Sequence, residues 1–114
     1  MLLLFGLTLL QSCYYDVVIE AEESATSTQS FSGNVLPILK STCATCHDGT
    51  ATLPDLRDAN AYKSIIQGNY VSVLDPENSP LIQKIRSEHP YANALTESEI
   101  QRIVGWIKEG APNN

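Results

Sequence analysis

The chain has 114 residues, enough for one domain and not for two. Its formal net charge of −6 argues against nucleic-acid binding, which depends on a basic face. Aromatic residues make up 7% of the chain, and a domain this small buries a modest core that gains from a rigid apolar group or a staple.

Met1 to Leu10 is an apolar run. It is too short to cross a bilayer, which takes about 20 apolar residues, and it has the length of a signal-peptide core. Leu10-Gln11-Ser12-Cys13 follows, and it resembles a bacterial lipobox. In signals of that kind the cysteine is lipidated and becomes the first residue of the mature protein. Two features depart from the pattern: no Lys or Arg precedes the run, and Gln11 is an unusual occupant. A start upstream of Met1 would remove the first departure. The competing reading is a buried helix ending in a structural cysteine. Residues 1–12 are thus expected to be a lipoprotein-type signal peptide. Cys13 is expected to anchor an exported protein to a bacterial membrane, on its periplasmic or cell-surface side.

Residues 13–30 read as a disordered tether. Asp16, Glu20, Glu22 and Glu23 are acidic, and the polar run from Ser24 to Ser30 has no periodicity. Such a composition does not repay the entropy of ordering.

Residues 31–114 read as an all-helical head. Asn34 is a candidate cap for a first helix, with Pro37 tolerated in its first turn. Val35, Ile38, Leu39 and Thr42 form one stripe, which Cys43 and Cys46 extend. Asp48-Gly49 ends that helix. Ala61 to Gln67 is a short helix stopped by Gly68-Asn69. A turn is expected at Asp75 to Asn78, and Ser79-Pro80 opens a helix through Arg86 or Ser87. Pro90 prevents its continuation. Thr96-Glu97-Ser98-Glu99 spells a capping box for the last helix. Ile100, Ile103, Val104 and Ile107 share one face of it, Trp106 flanks that face, and Gly110 is a natural stop.

The chemistry lies in Cys43-Ala44-Thr45-Cys46-His47. This is C-x-x-C-H, the attachment signature for covalent c-type haem. Two thiols can add to the porphyrin vinyl groups, and the histidine then sits beneath the iron. On a helix the three residues stand at i, i+3 and i+4 and share a face. Two rivals use the same residues. A redox dithiol calls for a βαβ context, which the pattern lacks. A Cys₂His₂ zinc site would combine Cys43, Cys46, His47 and His89, but His47 directly beside Cys46 is cramped for two close ligand pairs.

Taken together, the head resembles the small single-haem cytochrome c domains of bacteria. The matching elements are Val35 to Leu39 leading into Cys43 to His47, then Ser79-Pro80-Leu81, Leu95 to Ile100, and Trp106 to Ala111. The resemblance implies a cytochrome c-like fold, about four helices around one covalently bound haem, with first and last helices crossing. It implies outer-sphere electron transfer between a donor and an acceptor protein, by a monomeric head without enzymatic activity.

One departure from that family is informative. Its usual distal ligand is a methionine in a Met-Pro step shortly before the last helix. The only methionine here is Met1, and His89-Pro90 stands at the matching place. His89 is also the only histidine besides His47. Imidazole is a good iron ligand, and a bis-histidine iron has a lower potential than a His/Met one. Lys84 is an alternative that must first lose a proton. His47 needs an acceptor for its other ring N–H, and a carbonyl from Leu53-Pro54 is expected. Leu56, Ile65, Ile82, Ile85 and Trp106 are expected to line the pocket, and Arg57 or Tyr62 to meet a haem propionate. Were His89 not on the iron, the alternative would be a haem enzyme or gas or redox sensor with an open distal site.

Overall fold

The structure is a computed structural model that describes residues 28–114 apart from positions 51, 91 and 93. The signal peptide, Cys13 and most of the expected tether lie outside the described residues. Among the described residues the regular structure is all helical, without a strand. No helix there is long and apolar enough to cross a membrane.

A π-helical segment, Phe31–Val35, runs directly into helix α1, Leu36–Cys43. Asn34 does not cap this start. Ser30 does: its hydroxyl accepts from the Gly33 N–H, and Asn34 turns back to accept from the Ser30 N–H. The expected tether therefore ends in residues that belong to the head, and the Gln29 N–H also donates to Glu109. Helix α1 stops at Cys43, earlier than its apolar stripe suggests. Residues 44–46 form a turn, although the His47 N–H still donates to the Cys43 carbonyl at 3.0 Å. Gly49 at φ +83° supplies the left-handed step that turns the chain away.

Helix α2 spans Ala61–Gln67, as its sequence signals, and Asn69 at φ +56° turns the chain after it. A 3₁₀ turn, Pro76–Asn78, leads to helix α3, Pro80–Gln83. Helix α3 is shorter than expected because Lys84–Glu88 widens into a π-helical turn ending at His89. Ser79 is fully buried, and its hydroxyl accepts from the Ser72 N–H rather than capping α3.

Helix α4, Glu97–Lys108, carries the reciprocal capping box: Thr96 Oγ1 accepts from the Glu99 N–H, and Glu99 accepts from the Thr96 N–H. Ile103, Val104, Trp106 and Ile107 are fully buried. Each full burial of such an aliphatic side chain is worth roughly 1.5–3 kcal/mol, so α4 anchors the core. Trp106 packs 5.2 Å from the Phe31 ring, and Tyr62 completes the trio edge-on to Phe31. Beyond α4 the chain folds back. Gly110 and Ala111 take positive φ, and the last residues accept hydrogen bonds from Trp106 Nε1, at the Pro112 carbonyl, and from the Tyr62 hydroxyl, at the Ala111 carbonyl.

Candidate functional site

The end of α1, the loop after it, α3 and the His89 segment line a cavity of about 320 Å³. That size falls within the range of small-molecule and cofactor sites, about 300–1,000 Å³. Leu39, Leu56, Leu81, Ile85 and Leu95 make the lining largely apolar. Cys43, His47 and His89 are the cysteine and histidines on its wall.

The two imidazoles face one another across this space. Their ring centroids are 5.9 Å apart and their planes are inclined by 37°. Metal–imidazole bonds run about 2.0–2.1 Å, so two rings sharing one metal ion stand about 6 Å apart between centroids. The spacing is of the size at which a ring nitrogen of each can reach one metal ion. His47 reaches its position from the turn after α1. Its Nδ1 donates to the Pro54 carbonyl oxygen at 3.1 Å, the acceptor expected from the sequence. In the neutral ring that bond leaves Nε2 as the nitrogen without a proton. A second bond, from the Leu56 N–H to the His47 carbonyl at 2.8 Å, ties the same corner together. His89 arrives from the opposite wall, where the π-helical turn ends in extended backbone before Pro90.

Cys43 is half-buried on the cavity wall, and burial pushes its thiol pKa up, with the neighbouring Cys46 adding to the effect. Activated redox cysteines are held in the opposite direction, so Cys43 lacks the electrostatics of a dithiol nucleophile. Cys46 is exposed and does not border the cavity. Among the described residues, no group of three or more His, Cys, Asp and Glu side chains is arranged to hold a metal ion. The zinc reading therefore gains no ligand set.

The other expected residues divide. Pro54, Leu56 and Ile85 line the cavity. Ile65, Ile82 and Trp106 do not border it and are fully buried in the core instead. Tyr62 is held by the Ala111 carbonyl on the Trp106 side. Arg57 is engaged by the nearly buried Asp55, with its Nη2 at 2.7 Å from the carboxylate. Asp55 was not anticipated from the sequence. Its signal was local, an acid two residues before an arginine in the loop that follows the motif. Tyr70, Leu81 and Leu95 also line the cavity without having been singled out as pocket residues.

No protein-family model matches the chain, and no curated protein or solved structure matches it either.

Proposed function

We propose that this chain is a single-haem c-type cytochrome, tethered to a membrane through Cys13, that carries electrons between redox partners. The observation that carries the reading is the pair of imidazoles, His47 and His89, facing across an apolar cavity at 5.9 Å with Cys43 on its wall. When bound, the haem supplies an iron that alternates between ferric and ferrous states. Cys43 and Cys46 would hold it by thioether bonds, and His47 would present Nε2 because the Pro54 carbonyl accepts from its Nδ1–H. His89 supplies the second imidazole, which sets a lower potential than methionine does. The apolar lining limits water at the site. Two protein ligands that stay in place suit electron transfer and leave no position for a substrate.

The test is expression with c-type haem maturation, followed by optical spectra of the wild type and His89→Ala. The wild type is expected to carry one covalent haem, low-spin when ferric. His89→Ala is expected to turn the ferric form high-spin. A chain matured without covalent haem would end the cytochrome reading, and an unaltered low-spin spectrum in the variant would remove His89 from the iron.

A further inference from the structure

We infer that Asp55 is the positioning residue of this site: it locks the corner at residues 54–57 and so holds the Pro54 carbonyl against the His47 ring. The inference rests on the reading of His47 as the proximal ligand and names the residue that orients it.

The argument begins with one peptide unit. The Pro54 carbonyl and the Asp55 N–H belong to the same rigid plane. The Asp55 N–H donates to Ser64 Oγ on helix α2 at 2.8 Å, while the Pro54 carbonyl accepts from His47 Nδ1 at 3.1 Å. That peptide is therefore a strut between α2 and the imidazole. What keeps it in place is the Asp55 side chain. Its carboxylate accepts from the Arg57 N–H at 3.1 Å, from Arg57 Nε at 3.0 Å, from Arg57 Nη2 at 2.7 Å and from Asn60 Nδ2 at 2.8 Å. Asp55 is only 9% exposed, and a carboxylate that buried stays charged only with such partners. The Arg57 guanidinium holds its pKa far below the usual carboxylate range. Gly49 completes the arrangement. A Cβ there would collide with Arg57 Nη2 and come within 2.7 Å of the Asp55 carboxylate. The turn that follows His47 is thus shaped to let Arg57 close over Asp55.

The consequence is electronic as well as mechanical. A ligand imidazole whose Nδ1–H is held by a carbonyl is a stronger donor to its metal. Loosening the strut should weaken that donation and raise the reduction potential. A residue that only stabilised the loop would change the melting point and leave the ring alone.

The test uses the ¹⁵N-labelled chain, with the His47 ring tautomer read by NMR at mildly alkaline pH. Wild type is expected to hold the Nδ1–H form. Asp55→Ala is expected to lower the ratio of Nδ1–H to Nε2–H tautomer about fivefold, the equivalent of about one net hydrogen bond. Asp55→Asn keeps an acceptor for Arg57 and is expected to recover most of the ratio. In haem-loaded protein, Asp55→Ala is expected to raise the potential, while Asp58→Ala, outside the clamp, leaves it unchanged. An Asp55→Ala ratio equal to wild type overturns the inference, and so does a potential shift matched by Asp58→Ala. Should Asp55→Ala not fold, Ser64→Ala cuts the strut at its other end and must shift the tautomer in the same direction, or the inference fails. A chain that takes up no haem would remove the cytochrome reading, while the ring measurement on the haem-free chain would still decide the role of Asp55.

Discussion

Helix α4 and the corner at residues 47–57 each hold one side of this small domain in place, and they do it by different means. Helix α4 buries Ile103, Val104, Trp106 and Ile107 completely, and its ends are closed by its own sequence signals. Among its described residues the corner has no regular structure. It is fixed by directed bonds, from His47 to Pro54, Leu56 to His47, Asp55 to Ser64, and Arg57 to Asp55. Packing of the first kind is insensitive to any single polar atom and costly to hollow out. Geometry of the second kind sets where one imidazole points, and the apolar burial of the corner comes from Leu56 rather than from those bonds. The comparison teaches that stability and site geometry are held by different residues here, so they should be separable by mutation.

The largest expected effect tests the packed side. Trp106→Ala removes a fully buried ring that meets Phe31 and donates to the Pro112 carbonyl. It is expected to cost about 3–5 kcal/mol, measured as a shift in the urea unfolding midpoint. A loss below about 1 kcal/mol would mean that α4 does not anchor the core, and the contrast between the two regions would fail.

The two regions also differ in how readily they could be read from the sequence. Helix α4 announced itself through Thr96 and Glu99, through the spacing of Ile100, Ile103, Val104 and Ile107, and through Gly110. Helix α2 was equally plain from Ala61 to Gln67. Both are local patterns, where propensity, periodicity and stop signals agree. The acceptor for His47 near Pro54 is legible for the same reason, since it lies in a short run of residues after Cys43 to His47. What was not legible depends on tertiary context. The widened turn at Lys84–Glu88 leaves no mark in hydrophobic spacing. Ser79 has the sequence of a cap, but the loop at Ser72 claims its hydroxyl. Trp106 looked like a pocket residue because it lies near the apolar face of α4. The ring instead packs against Phe31, which only the fold brings close. Arg57 is engaged by Asp55, a contact that the loop conformation sets and residue type alone does not show.

A smaller effect sharpens the comparison where α4 meets the turn before His89, the wall of the cavity opposite the corner. Arg86, in the turn before His89, makes a two-pronged ion pair with Glu97 in the first turn of α4, at 2.7 and 2.8 Å. The Arg86 guanidinium, helped by Gln101, lowers the Glu97 pKa to about 2. A carboxylate depressed in the folded state stabilises it above the ordinary unfolded value, near 4.3, and loses that contribution as pH falls toward the folded one. The wild type should therefore lose more stability than Glu97→Gln between about pH 5 and pH 2, with the two converging at the acid end. Both side chains are substantially exposed, so added salt should shrink the difference. Denaturant midpoints across that range check it. Parallel pH profiles would show that the pair does not hold the turn before His89 to α4.

The smallest effect on stability should fall on a residue that matters to the site. Leu53 borders the cavity yet is 72% exposed, so its side chain contributes little to the core. Leu53→Ser is expected to change unfolding stability by no more than about 0.5 kcal/mol, as surface substitutions usually do. In haem-loaded protein the same change puts a hydroxyl where an apolar wall stood. A more polar surround favours the more highly charged ferric state, so the reduction potential should fall. Trp106→Leu supplies the counterpart: a conservative change in the packed core that lowers stability and leaves the potential close to wild type. If Leu53→Ser instead altered stability and left the potential unmoved, the cavity would be ordinary surface, and the division between packed core and bonded site would lose its functional meaning.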